Sequence, residues 1–131
     1  MAFALLDRCS TNCLQRWFVP LVLASTLLVV QSAKLLVARP RPTLLEALIA
    51  LPADGSYPSA HAAQITAIAC AWLLRPGYRA SLPVTTLLIA GVPTVALSRL
   101  YLQVYYLSDV MYAMAASALW VAALRSRHGH G

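Results

Sequence analysis

Four apolar stretches, each nearly free of charge, leave this chain few ways to fold. A helix needs about 20 mostly apolar residues, within a range of about 17–25, to cross the hydrocarbon of a bilayer. Residues 17–37 meet that requirement, with Lys34 near their end. Residues 59–74 are fewer and carry His61 near their start, and residues 80–98 hold no charge. Within 100–124 the only charge is Asp109, so a fourth helix is expected there, starting near Tyr105. Pro83 suits a first helical turn, and Pro93 predicts a kink. Composition agrees with this reading. The 131 residues are 60% hydrophobic and 11% charged, against about 45–50% and about 25% in soluble domains. Disorder is excluded. A net charge of +6 with so little polar surface around it does not describe a nucleic-acid binder. The chain reads as an all-α integral membrane protein, one domain over 1–131, with about four transmembrane helices in a bundle.

The rest of the chain supplies punctuation and orientation. Residues 17–37 have an alternative reading as a signal peptide, with Arg8 and Arg16 as its basic region and Gln31-Ser32-Ala33 near a cleavage point. The long charged segment before them and the length of the apolar run both favour a span. After Arg39-Pro40-Arg41-Pro42, Thr43 and Glu46 have the spacing of a capping box, which predicts a short helix over 43–51, stopped by Pro52. It is too short to span and is expected to lie at the interface. Asp54-Gly55 reads as a turn. Cys9, Cys13 and Cys70 form no disulfide framework, and His128 and His130 sit in a Gly-rich tail without a second pair at zinc-ligand spacing. No metal and no cofactor is expected.

Four spans put the N-terminal segment, the loop after Leu74 and the C-terminal tail on one side, with Arg8, Arg16, Arg75, Arg79, Arg125 and Arg127 against Asp7. The other side holds Lys34, Arg39, Arg41 and Arg99 against Glu46, Asp54 and Asp109. The positive-inside rule makes the first side cytoplasmic, so residues 1–16 and 125–131 read as cytoplasmic tails. The inner, or plasma, membrane is the expected location. Trp17, Trp72 and Trp120 fall near the cytoplasmic end as interfacial anchors would, and Tyr57, Tyr101 and Tyr106 suit the opposite belt.

Every unusual polar residue then lands on the non-cytoplasmic face. Lys34 and Arg41 follow the first span, Pro58-Ser59-Ala60-His61 opens the second, Ser98-Arg99 closes the third, and Tyr105 to Asp109 opens the fourth. A single cation at a span end ordinarily snorkels to the interface. A lone His61 is ordinarily a polar residue satisfied within a bundle, a lone Ser59 an N-cap, and a lone Asp109 a structural partner for Arg99. Together they suit a phosphoryl group. Three cations neutralise it, a helix N-terminus offers backbone N–H groups, and Ser59 adds a hydroxyl. His61 is placed to donate a proton to a leaving oxygen. Asp109, one helical turn beyond residue 105, is placed to orient the side chain there.

Lys34, six residues, then Arg41-Pro42 resembles the first motif of the type 2 phosphatidic acid phosphatase superfamily. Pro58-Ser59-Ala60-His61 is similar to its second, Pro-Ser-Gly-His. Ser98-Arg99, five residues, Tyr105, three residues and Asp109 resembles its third, Ser-Arg-x5-His-x3-Asp. The resemblance covers about residues 30–124. It implies a helical, metal-independent phosphatase of lipid phosphates or diphosphates acting at the outer face of the membrane. It further implies that Lys34, Arg41, Arg99, Ser59 and Ala60 bind phosphate, that His61 is the general acid, and that Asp109 orients a nucleophile at position 105. Membrane members commonly have two further N-terminal spans, so these residues read as the motif-bearing core. Two positions depart from the pattern. Ala60 adds one methyl where the family has Gly. Tyr105 replaces the nucleophilic histidine, and a phenol, with an ordinary pKa of about 10, is almost wholly protonated at pH 7. The implied partner is a phosphorylated membrane lipid. The alternative is a catalytically impaired relative that binds phospholipid head groups, a membrane partner or a second copy of itself. A Cys placed at Asp54 is expected to react with an impermeant thiol reagent from outside intact cells. Protection there, with labelling only after lysis, reverses the orientation.

Overall fold

Residues Ala2–Val37 form α1, which begins well before the apolar run that defines its span. A computed structural model describes residues 2–43, 47–51, 53–75, 79 and 81–128, with side chains from Arg16 onward. After α1 come α2 (Ala60–Leu74), α3 (Leu82–Tyr101) and α4 (Leu107–His128). The expected spans are therefore present, each within a few residues of its sequence boundaries. Pro83 sits in the first turn of α3, and the helix continues through Pro93. The fourth helix runs to His128 rather than stopping near Leu124. Three helices contain stretches long and apolar enough to cross a membrane: Arg16–Val37, Leu82–Tyr101 and Leu107–Arg127. With 15 residues, α2 is about 22 Å long at 1.5 Å per residue, shorter than a hydrocarbon core of about 30 Å.

The short α2 is the hub. It packs against all three other helices, whereas α1 and α3 each meet α4 only slightly. Its buried residues are Ala62, Ala63, Thr66, Ala67, Ala69 and Ala71. Lipid offers no hydrophobic drive between apolar helices, so association rests on close contact, which small side chains permit. Around this alanine helix the core forms two clusters. One lies near the motif-bearing ends and includes Val30, Ala62, Ala96, Val104, Tyr105 and Val110. The other joins Phe18, Val22, Ala67, Ala71 and Val121 toward the opposite end, where the indole N–H of Trp120 donates to Ser25 Oγ at 3.0 Å. Most of α3 faces outward, with Ala96 its one buried residue.

The expected surface helix over 43–51 does not form where it can be followed. Residues 47–51 are bends and irregular chain, while Leu44–Glu46 and Pro52, which include the proposed cap partner Glu46, lie outside the described residues. An eight-residue helix costs much to nucleate and gains few bonds. Here the segment's backbone is satisfied by other means. Leu48 N–H donates to Leu102 O at 3.4 Å, and farther along the same connection Ser56 N–H donates to Arg39 O at 2.8 Å.

Two helices end at the motif-bearing face in the same way. After α1 the chain turns at Ala38 with φ of 44°, and after α3 it turns at Gln103 with φ of 58°. Ala38 N–H donates to Lys34 O at 2.9 Å, and Gln103 N–H to Leu100 O at 3.0 Å. Left-handed residues close helix ends in this manner, but glycine is usual there. These turns fold residues 38–43 and 103–106 back across the bundle mouth, directly after Lys34 and Arg99. Ala38→Val, a β-branched residue in a left-handed position, is expected to lower stability by about 1–2 kcal/mol. Ala38→Gly should be neutral or stabilising, as read by thermal unfolding in detergent.

Candidate functional site

The last turn of α1 supplies Lys34, which is only 4% exposed. Its ammonium donates to Asp54 Oδ2 at 2.5 Å and to Gly55 O at 3.0 Å. Beyond the Ala38 turn, Arg41 reaches the same carboxylate from the other side. Its Nη2 donates to Asp54 Oδ1 at 2.6 Å, its Nε to Asp54 O at 3.2 Å and its Nη1 to Val104 O at 3.0 Å. Asp54 thus bridges two of the three cations that the sequence assigns to a phosphate. Ser56 fastens this loop through its N–H and through its hydroxyl, which donates to Pro40 O at 3.1 Å. Gly55 makes the approach possible, because a Cβ there would meet Arg39 N at 3.3 Å and Ala38 C at 3.4 Å.

Burial acts to raise the Asp54 pKa, but hydrogen bonds and charge from Lys34 and Arg41 outweigh it and hold the carboxyl below its ordinary 3.8. The folded chain therefore binds this proton more weakly than the unfolded chain does. The clasp contributes stability above the ordinary value and loses it as pH falls through the lowered one.

Tyr105 lies buried under this pair. Arg41 stands 4.9 Å and Lys34 5.8 Å from its ring centroid, so two cations face one aromatic ring. Asp109 is completely buried, and both carboxylate oxygens are engaged. Oδ1 accepts from Arg39 Nη1 at 2.7 Å, and Oδ2 accepts from the backbone N–H of Tyr106 at 3.0 Å. The second bond is half of a capping box, since Asp109 is the third residue of α4 and Tyr106 precedes its first. The expected structural partner Arg99 gives way to Arg39, which also donates to Ser108 Oγ at 2.9 Å and stacks 4.3 Å from the Tyr106 ring.

Ser59 and Ala60 stand at the start of α2. Ser59 is buried, its N–H donates to Asp109 O at 3.2 Å, and its hydroxyl makes no capping bond. Among the described residues, buried side-chain atoms without a hydrogen-bond partner include Ser59 Oγ and Arg99 Nε. His61, on the first turn of α2, is exposed, and Arg99, Lys34 and Asp54 are close enough for their charges to act on its imidazole. The structure therefore brings Lys34, Arg41 and Tyr105 into contact, with Arg99 and His61 beside them and Asp109 anchoring the start of α4. Sequence reasoning placed Asp54 and Arg39 on this face but gave them no role. The available signal was charge pairing, since acids on the same face as buried cations are their natural partners.

Below the mouth, α1 and α4 splay apart and leave an apolar groove of about 100 Å³, lined by Val30, Ala33, Tyr57, Ala113, Ala116 and Trp120 among others. It begins beside the motif-bearing loops, where Tyr57 and Tyr112 meet edge to face at 5.7 Å.

A family model described as the PAP2 superfamily matches residues 16–129. In fold, the chain is similar to a transmembrane PAP2-type phosphatidylglycerolphosphate phosphatase from Bacillus subtilis, with a TM-score of 0.72 and 18% identity over 99% of this chain and 71% of that one. No curated protein matches significantly. Removing Arg39 leaves the buried Asp109 carboxylate short of a partner. Arg39→Ala is expected to cost roughly 2–4 kcal/mol, discounted for the partial exposure of the guanidinium. Adding Asp109→Asn should recover part of that loss in a double-mutant cycle read by thermal unfolding.

Proposed function

We propose that this chain, which belongs to the PAP2 superfamily, recognises the terminal phosphate of a membrane lipid at the outer face and that Tyr105 leaves hydrolysis slow or absent. The observation that carries this reading is the set of donors at one bundle mouth. Lys34 and Arg41 already hold a carboxylate there, and Ser59 Oγ and Arg99 Nε are buried without protein acceptors. An oxyanion is an acceptor of the kind that each of these four groups takes. The α2 N-terminus adds its dipole and the backbone N–H groups at Ser59 and Ala60. The groove between α1 and α4 suits an acyl or prenyl chain, because it is apolar and starts at the same mouth.

For the chemical step, His61 is positioned to protonate a leaving oxygen. The nucleophile is the weak point. A neutral phenol attacks phosphorus poorly, and the buried Tyr105 ring serves here as a surface against which two cations pack. Asp109 spends its carboxylate on Arg39 and the α4 cap rather than on residue 105. One observation favours the active-enzyme reading. Lys34 and Arg41 both face the Tyr105 ring, so a phosphoryl group held by them lies beside residue 105, as a phosphotyrosine intermediate requires.

Phosphate release from phosphatidic acid and from a prenyl diphosphate, in detergent, separates the two. The native chain is expected to release little or none. Tyr105→His is expected to raise the rate by about 10²-fold or more, in the range that one catalytic side chain contributes. A native rate comparable to Tyr105→His and abolished by Tyr105→Phe makes Tyr105 the nucleophile and overturns the impaired reading. Lipid binding unaffected by Arg41→Ala plus Arg99→Ala overturns the phosphate site itself.

A further inference from the structure

We infer that Trp120, pinned to Ser25, is a specificity-determining residue that ends the groove between α1 and α4 and so sets how many carbons of a lipid chain the protein reads. The inference rests on the lipid-phosphate reading above and deepens it, since none of the three motifs includes either residue.

The direction of the groove follows from the helices that flank it. Its mouth lies at the C-terminal end of α1 and the N-terminal end of α4, so depth runs down the numbering on α1 and up it on α4. The lining positions run from Ala33 to Thr26 on one wall and from Tyr112 to Trp120 on the other. Seven residues along α1 and eight along α4 correspond to about 10–12 Å at 1.5 Å per residue. At the far end the indole N–H of Trp120 donates to Ser25 Oγ at 3.0 Å. Ser25 in turn donates to Val22 O at 3.0 Å, which fixes its hydroxyl on α1. The indole thus joins the two helices across the groove they form. Below this bridge the walls close. Phe18 and Val22 of α1 share a buried cluster with Val121 of α4, around Ala67 and Ala71 of α2.

A chain that starts from a phosphate at the mouth meets this end after a fixed length. An extended alkyl chain advances roughly 1.3 Å per carbon, from C–C bonds of about 1.5 Å, so the groove takes about nine carbons. Within it each carbon packs against protein atoms, and a packed protein site is denser than liquid hydrocarbon and returns more dispersion energy. Past the indole that gain stops. The groove is open along its side, where Val29 is 47% and Tyr112 62% exposed, so a longer chain is not rejected. Its further carbons turn out past Trp120 into lipid, where they bind no better than elsewhere in the bilayer. Trp120 therefore separates the part of a chain that affects affinity from the part that does not.

A tryptophan toward the end of a span is ordinarily an interfacial anchor. Trp120 differs in two respects. Its N–H is spent on a neighbouring helix rather than on head groups or water, and its ring lines the groove.

The test is a length series. The n-alkyl phosphates from hexyl to octadecyl are titrated calorimetrically against the full chain in detergent. Each is present at the same mole fractions in the micelle, so that partition from water drops out. For the native chain, affinity is expected to rise by about 1.2- to 1.4-fold per carbon, the scale of one dispersion contact, and then to level off at a break. Ala116 lines the groove one turn above Trp120 and is exposed. Ala116→Phe fills the groove there and should bring the break forward by about four carbons, one helical turn of about 5.4 Å. Trp120→Ala should delay the break by about two carbons or more, since the indole leaves its volume behind. Ser25→Ala frees the indole, should delay the break by a smaller step, and supplies the reading where Trp120→Ala does not fold. No break in the native series, or one that stays in place when the bridge is removed, overturns the length limit. With binding still dependent on Arg41 and Arg99, that result leaves the phosphate site standing. Movement in Ala116→Phe alone, or in the bridge variants alone, separates the chain from the end of the groove and overturns the limit too. Binding by none of the chains, or binding indifferent to Arg41→Ala plus Arg99→Ala, overturns both readings.

Discussion

A lysine ammonium buried at the end of a membrane helix has to be paired, and the Lys34–Asp54 contact organises the rest of the bundle mouth around that need. Unpaired, it would snorkel to the headgroups. Pairing draws the loop at 54–56 down onto the end of α1, and that loop in turn fixes Arg41 over Tyr105. Arg41 also donates to Val104 O and so ties the α1 exit to the connection between α3 and α4. One carboxylate thus joins segments from three separate parts of the sequence. Arg39 and Asp109 repeat the device a few residues away, with the acid now buried and the base at the rim. Of the three ion pairs described at the mouth, Lys34–Asp54 and Arg39–Asp109 each link the α1–α2 connection to a helix end.

These pairs define the end of the bundle, while α2 defines its middle. A 15-residue helix is too short to face lipid across a bilayer, and α2 avoids doing so by letting three longer helices surround it. Alanine at its contact positions brings those helices near enough that the chain ends carrying Lys34, Arg99 and Tyr105 meet above its N-terminus.

The spans were legible because hydrophobic length is a property of neighbouring residues, and so were the eight motif positions, whose convergence needs only the count and direction of the helices. What could not be read was the pairing among charges. The turn at Asp54-Gly55 was visible, but its distance from Lys34 depends on the left-handed residue at Ala38, which nothing local demands. Asp109 was read as a partner for residue 105 because one helical turn separates them. The structure instead uses its proximity to the Tyr106 amide, a bond that any acid at the third helical position can make. The short helix expected after Thr43 failed for a related reason. Local capping signals do not outweigh a backbone bond supplied by a distant residue, as Leu102 O supplies to Leu48 N–H.

Binding and turnover therefore separate along a physical line through this site. Groups that hold an anion need charge, direction and burial, and Lys34 and Arg41 bring these to bear on the Asp54 carboxylate. Turnover needs in addition a lone pair aligned on phosphorus and a group free to steer it. Residue 105 has become a buried aromatic plate under two cations, and the carboxylate one turn away is committed to Arg39 and to the helix cap. The two changes reinforce each other. A tyrosine ring needs no orienting acid, and an acid released from that duty is available to anchor α4. On the proposed reading, a site of this kind keeps charges that hold an anion while residue 105 is given to packing.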